Sequence, residues 1–148
     1  MNEMLGNQYF LARNYTQAEK ELETALAHKP LSVAIKKKLI ICHIQTHTIT
    51  RAVDLFIDVI TQDIHSIIDT DPIFDNCPCP QLVLDMENTI DTKDENERKL
   101  ALGMLWLYCD IEPAYKYFLS INKPDEKVQR IIAQLQLTIQ QLQLKRNV

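Results

Sequence analysis

The chain has 148 residues, of which 46% are hydrophobic and 24% are charged, and its formal net charge is −4. This composition is ordinary for a globular protein, and the acidic balance offers nothing that would recruit nucleic acid or an anionic membrane surface. No apolar run approaches the roughly 20 residues of a membrane span, and no charged-then-apolar segment opens the chain. We therefore expect a cytoplasmic protein whose four cysteines are reduced thiols, because disulfides are rare in that compartment.

The residue types favour helices throughout the chain. Only two glycines occur in it, whereas leucine, isoleucine, lysine, glutamate and glutamine are abundant. A sheet protein needs more turn glycines and an alternating apolar pattern, and no segment shows that pattern. The sequence predicts an all-α fold.

The first segment, residues 1–68, contains two copies of a spaced pattern of small and apolar residues. The first copy consists of Leu5, Gly6, Tyr9, Ala18, Leu22, Ala25 and Pro30. Gly6 and Ala18 are small, which lets two helices cross closely. Thr16 and Glu19 have the spacing of a capping box and predict the start of the second helix.

A second copy of the pattern follows at a constant offset from the first, the offset that separates Ala18 from Ala52. Ala52 and Phe56 fall on the alanine and leucine positions, and "TITRAVDLFIDVI" around them predicts the second helix of this copy. His43 falls on the tyrosine position, so we expect it to fill the space between helices. Ile40 stands where the first copy has its glycine.

Residues 69–96 interrupt the pattern. They are acidic and contain three prolines, and each proline removes a backbone donor and clashes with the preceding helical turn. Residues 69–80 therefore predict a connector, which we expect to be ordered because Ile73 and Phe74 are apolar. Residues 81–90 predict a short helix.

Cys77 and Cys79 flank a proline in this connector and admit three roles. Two small thiols could simply pack, a C-x-C pair could hold a metal with a third ligand, or the pair could be redox-active. Structural zinc sites usually repeat C-x₂₋₄-C pairs, and this chain has no second pair. The acidic neighbourhood disfavours a reactive thiolate, so we expect a packing role and no metal.

Residues 97–124 carry a third, degenerate copy. Gly103, Ala114 and Phe118 repeat the glycine, alanine and apolar positions, so both glycines of the chain fall on the same place in the pattern. The interval from Gly103 to Ala114 is one residue shorter than in the first copy. This predicts a tight turn between the two helices.

The tail, residues 125–148, is one helical pattern with a heptad-like apolar stripe. The stripe consists of Val128, Ile132, Leu135, Ile139 and Leu142. A terminal helix that covers the open end of a helical array is one use for it. Self-association into a homodimer through residues 128–142 is the other.

The spacing of the first copy, L-G-x₂-Y, then A-x₃-F, then a closing proline, resembles the tetratricopeptide repeat family. The likeness covers residues 2–64 well and residues 97–124 loosely. It implies a solenoid of helical hairpins, an α-α superhelix, which the C-terminal helix would cap.

The resemblance also implies a binding site, because the first helices of such hairpins line a concave groove. On this sequence the groove positions are Asn7, Phe10, Lys37, Ile41, Ile44, Gln45, Met104 and Tyr108. Asn7 matches the asparagine with which some members hold the carboxylate of an acidic peptide tail, but Glu3 and Ile41 depart from that clamp. The mixed polar and apolar lining predicts instead a partner helix or an extended segment.

The chain shows no phosphate-binding loop, nucleophile elbow or metalloprotease motif. The sequence therefore predicts a non-enzymatic protein-binding module, a scaffold, adaptor or co-chaperone, without a cofactor or metal and without a nucleic-acid or membrane partner. Two alternatives stay open. One is a chaperone-like subunit of a larger assembly that dimerises through its tail, and the other is a thiol or metal regulatory module that uses Cys77 and Cys79.

Overall fold

A computed structural model describes residues 2–73, 75, 77–88 and 94–147. These residues form helices and no strand, which confirms the all-α class. The helices are α1 (Asn2–Leu11), α2 (Tyr15–His28), α3 (Val33–Gln45), α4 (Ile49–Asp63), α5 (His65–Ile68), α6 (Cys79–Glu87), α7 (Glu95–Leu107), α8 (Ile111–Leu119) and α9 (Glu126–Arg146). None of the helices in the described part of the chain combines the length and the apolar character that crossing a bilayer requires.

The chain divides into two compact units, Met1–Val59 and Ile60–Val148, and the division falls within α4. In the first unit α2 packs against both α1 and α3, and α1 also touches α3. In the second unit α7 packs against α6 and α8, and α9 packs against α8. Most of these contacts join helices that are neighbours in sequence.

The helix boundaries in the first half of the chain recur at one interval. α1 ends at Leu11 and α3 ends at Gln45, while α2 begins at Tyr15 and α4 begins at Ile49. Both pairs of boundaries are separated by the offset that relates the two copies of the sequence pattern. Two successive helix pairs therefore have the same boundaries at their turns and the same connector length.

The same offset relates the conformations and burial of equivalent residues. Arg13 and His47 stand at the same place in the two connectors, with φ of 62° and 63°, in the left-handed region that non-glycine residues seldom adopt. Three buried positions of the second helices also correspond, and the pairs are Ala18 with Ala52, Leu22 with Phe56, and Ala25 with Val59. The pattern seen in the sequence thus has a repeated counterpart in backbone and core.

The start of α2 differs from the predicted capping box. Asn14 is the N-cap, and its side-chain oxygen accepts a hydrogen bond from the backbone N–H of Gln17 at 3.4 Å. Thr16 lies inside the helix, and Glu19 instead accepts a hydrogen bond from the Thr46 hydroxyl at 2.7 Å. The prediction was wrong because asparagine is as good a cap as threonine and stands nearer the end of the preceding helix.

The third copy is one residue shorter than the first, and the missing residue is in its first helix rather than in the turn. α7 ends at Leu107 and α8 begins at Ile111, so this connector is as long as the one between α1 and α2. Gly103 stands one position closer to the end of α7 than Gly6 does to the end of α1. The predicted tight turn is therefore wrong.

The connector before α6 is held differently from the prediction. Ile73 is 90% exposed, so its side chain does not anchor the connector, and Phe74 lies outside the described residues. The predicted short helix is present as α6, and its C-terminal carbonyls, those of Met86 and Glu87, accept hydrogen bonds from the Arg98 guanidinium at 3.4 Å. Ile90, the last residue of the predicted helix, lies outside the described residues.

A disulfide joins Cys77 to Cys79, whereas Cys42 and Cys109 are free. The expectation of four reduced thiols is therefore wrong for this pair. The two Cα atoms lie 5.4 Å apart, within the usual range for disulfides.

Helix α9 buries a face that is rotated from the predicted stripe. The buried residues are Val128, Ile131, Leu135 and Thr138. The other stripe residues, Ile132, Ile139 and Leu142, are only half-buried. Because α9 packs on α8, its most buried face is used within the second unit.

Candidate partner-binding groove

The crossing of α1 and α2 depends on Gly6. A Cβ atom at this position would lie 2.7 Å from Cγ and Cδ2 of Leu22 and 3.3 Å from its backbone nitrogen. Gly103 is in the same situation, because a Cβ atom there would lie 2.8 Å from two ring carbons of Phe118. Leu22 and Phe118 occupy the same position of the sequence pattern, so each fills the space that a glycine leaves open.

Beside this crossing, the N-terminal half of α1 and the C-terminal end of α2 form a groove of about 520 Å³. The residues that line it are Asn2, Glu3, Met4, Asn7, Ala25, His28 and Lys29. We call it the α1–α2 groove. Met4 is 65% exposed and gives the groove an apolar side chain that a partner could cover.

Two polar residues of the groove, Glu3 and Asn7, accept hydrogen bonds from lysines. Lys29 Nζ lies 2.9 Å from Glu3 Oε1, and this bond holds the pKa of the Glu3 carboxyl below its usual value. Lys38 Nζ, on α3, donates to Asn7 Oδ1 at 2.8 Å. Glu3 and Asn7 are four residues apart on one face of a helix, so the groove carries a carboxylate and an amide whose positions are set by neighbouring helices.

The structure places five of the eight groove residues predicted from the sequence in the protein interior. These are Phe10, Ile41, Ile44, Met104 and Tyr108, none of which is more than 4% exposed. They are not surface that a partner could cover, and the prediction is corrected for them. Lys37 and Gln45 keep partial exposure, and Asn7 lies in the α1–α2 groove.

The reason for this correction is that the resemblance gives only which helix lines a groove, and side-chain burial depends on the packing around that helix. The Phe10 ring, for example, packs edge-to-face against Tyr15 with ring centroids 6.1 Å apart. The sequence analysis did not predict the groove residues Asn2, Met4, His28 and Lys29. They lie in the N-terminal part of α1 and at the C-terminal end of α2, which only the packing of the two helices brings together.

A second polar site in the first unit is the buried histidine of α3. His43 is 5% exposed, which confirms the predicted position between helices. Its Nδ1 lies 2.7 Å from Glu19 Oε1, and its Nε2 lies 3.8 Å from Glu23 Oε2. Arg51 in turn donates two hydrogen bonds to Glu23, at 3.0 and 3.2 Å. We call these four residues the His43 cluster.

The His43 cluster adds polar contacts between α2, α3 and α4 to the apolar packing of these helices. Burial lowers the pKa of His43, while the carboxylates of Glu19 and Glu23 act in the opposite direction and Arg51 lowers it further. Nε2 is buried without a hydrogen-bond partner. The sequence predicted the position of this histidine but not its charged neighbours. Two of them, Glu19 and Glu23, lie one turn apart on α2.

Across the described ranges, no three histidine, cysteine or acidic side chains come together as a metal site. Comparisons of the chain with protein-family models, with curated proteins and with solved structures find no match.

Proposed function

We propose that this chain is a non-enzymatic protein-binding module of the tetratricopeptide type, a scaffold, adaptor or co-chaperone. The observation that carries the proposal is the recurrence of helix boundaries at a single interval in α1 to α4. That interval, from Leu11 to Gln45 and from Tyr15 to Ile49, matches the length of a tetratricopeptide repeat, about 34 residues. The repeated φ of Arg13 and His47 supports the same reading. In such repeats each helix pair buries one face against its neighbours, and the remaining surface is used for recognition.

We place the binding surface in the α1–α2 groove. Met4 offers exposed apolar area, Asn7 offers a hydrogen-bonding amide, and Lys29 and His28 border them. An apolar side chain beside a few fixed polar groups suits a partner helix or an extended peptide, whose apolar residue would cover Met4 while its polar groups meet the rim.

The other proposals receive less support from the packing. Dimerisation through α9 would use Val128 and Leu135, which are already buried in this chain, together with the half-buried Ile132, Ile139 and Leu142, so we favour the terminal-cap role for α9. The cytoplasmic location stays a prediction from the sequence.

The test compares two substitutions on the same helix. Met4 and Leu11 are both exposed residues of α1, 65% and 54% respectively, but only Met4 lines the α1–α2 groove. We expect Met4→Glu to abolish the capture of a specific protein partner from native extract, measured by quantitative mass spectrometry. Leu11→Glu should leave that capture unchanged.

This pair of variants separates binding from folding. Glutamate is favourable near a helix N-terminus and unfavourable near its C-terminus, so the control variant is the one with the greater folding cost. Equal capture by the wild-type protein and both variants would exclude the α1–α2 groove as the binding surface. Equal loss in both variants would exclude a site confined to it.

A further inference from the structure

The two residues of the bonded pair, Cys77 and Cys79, differ in exposure. Cys79 is fully buried as the first residue of α6, whereas Cys77 is only half-buried. A reagent from solvent therefore reaches the Cys77 sulfur before the Cys79 sulfur. In thiol–disulfide exchange, this difference favours attack at Cys77 over attack at Cys79.

The start of α6 places a backbone donor and the amino end of a helix beside the two sulfurs. The backbone N–H of Cys79 donates to Cys77 Sγ at 3.4 Å, and the amino end of a helix carries partial positive charge. Pro78, the N-cap residue, supplies no side-chain hydrogen bond to the helix. Nearby donors and helix termini favour the thiolate form of a cysteine, against the acidic character of the connector.

The other two cysteines lack this environment. Burial raises the pKa of the Cys42 thiol to about 12, and burial together with Asp110 raises the pKa of the Cys109 thiol. Both remain free although Cys109 is exposed. Of the four cysteines, only Cys77 and Cys79 are bonded to each other and lie at or next to a helix start.

We propose that Cys77 and Cys79 form a reversible dithiol–disulfide site in which Cys77 is the exchanging sulfur and Cys79 the leaving thiol. A small monothiol of the glutathione type is the reductant. Its thiolate attacks Cys77 Sγ, the Cys77–Cys79 bond breaks, and Cys79 leaves as a thiolate that takes a proton from water. A second monothiol then attacks the mixed disulfide at the sulfur of the first, so that Cys77 is released as a thiol. In total, two electrons pass to the protein and two monothiols become one disulfide.

The exchange alters the attachment of α6. In the oxidised protein the disulfide ties the connector to the first residue of α6, which packs against α7. Reduction removes this tie, so we expect faster amide hydrogen exchange in the first turn of α6, with the core of α8 unchanged.

The experiment equilibrates the full-length protein in glutathione buffers of graded redox ratio, quenches it with acid and alkylates the free thiols with N-ethylmaleimide. Peptide mass mapping then gives the state of each cysteine. We expect Cys77 and Cys79 to become alkylated together as the buffer becomes more reducing, with a midpoint within the glutathione range. Cys77 and Cys79 staying as thiols in the most oxidising buffer, or staying bonded in the most reducing one, would overturn the proposal.

Two single variants test the direction of exchange, with Cys109→Ser as the control that retains the pair. With oxidised glutathione, Cys79→Ser should form a mixed disulfide at Cys77 at least tenfold faster than Cys77→Ser forms one at Cys79. Equal rates, or faster reaction at Cys79, would contradict the assigned roles. The wild-type titration needs no substitution, so it decides the redox claim even if a variant fails to fold.

Discussion

At the residue scale, the two glycines are explained by the side chains that face them. A glycine inside a helix costs about 1 kcal/mol of stability relative to alanine, so Gly6 and Gly103 each destabilise the helix that contains them. Leu22 and Phe118 fill the space that a Cβ atom would occupy, and both are fully buried. Close packing of a large side chain against a bare backbone therefore offsets the helix-propensity cost.

The first prediction follows from this contact. Gly103→Ala should destabilise the protein by about 1–3 kcal/mol through overpacking, although helix propensity alone would predict a gain. The free energy of unfolding from urea titration measures the effect. In a Phe118→Leu background, which shortens the facing side chain, the same substitution should cost less. A stabilising Gly103→Ala would show that the contact with Phe118 is not tight.

The His43 cluster belongs to the same scale, because the effect arises at one imidazole. The pKa of His43 is lowered mainly by burial, so the folded protein favours the neutral ring more than the unfolded chain does. The stabilising contribution of the neutral His43 ring is therefore fully present above about pH 6.5, the pKa of a histidine in the unfolded chain. That contribution is lost as the pH falls from there towards the lower folded pKa.

We predict that the free energy of unfolding decreases between about pH 7 and pH 5 and that His43→Gln reduces this decrease. Denaturant titrations at several pH values give the measurement, and His65→Gln, which removes an exposed histidine, is the control. If the wild-type protein became more stable on acidification, protonation would favour the folded state and the assigned direction would be wrong. A titration of the His43 ring by NMR checks the pKa without substitution.

At the element scale, helix existence could be read from the sequence, but helix ends could not. The spaced pattern predicted α2 and α4, the residues after the prolines predicted α6, and an apolar stripe on one face predicted α9. The cap of α2 was misplaced, because Asn14 and Thr16 are both acceptable and the choice depends on where α1 ends. The rotated face of α9 has a similar cause, since two apolar faces compete and the packing on α8 selects one.

The cap of α2 gives the next prediction. Asn14→Ala should cost about 0.5–2 kcal/mol of stability, because it removes the acceptor for an N-terminal N–H of the helix. Thr16→Ala, an exposed position inside the helix, should change stability by less than about 0.5 kcal/mol. Chemical denaturation of the two variants compares them directly. A larger loss of stability for Thr16→Ala than for Asn14→Ala would support the predicted capping box instead.

At the scale of the whole molecule, the sequence predicted the repeat but not the exposed surface. The spacing of small residues records which helices must touch, so the recurrence could be found in Ala18 and Ala52. Exposure depends on all neighbours of a helix, and for this reason Ile41 and Ile44 were taken as surface although they are buried. The Cys77–Cys79 bond was unexpected because a two-residue spacing is typical of neither a structural disulfide nor a zinc site.

The affinity of the captured partner tests the central claim, recognition through the α1–α2 groove, most directly. Binding to the purified partner should be measured for the wild-type protein, Met4→Glu and Leu11→Glu at one salt concentration. The proposal predicts at least a tenfold rise in Kd for Met4→Glu, a loss of about 1.4 kcal/mol or more, and a change below about twofold for Leu11→Glu. Equal Kd values for all three proteins would contradict it.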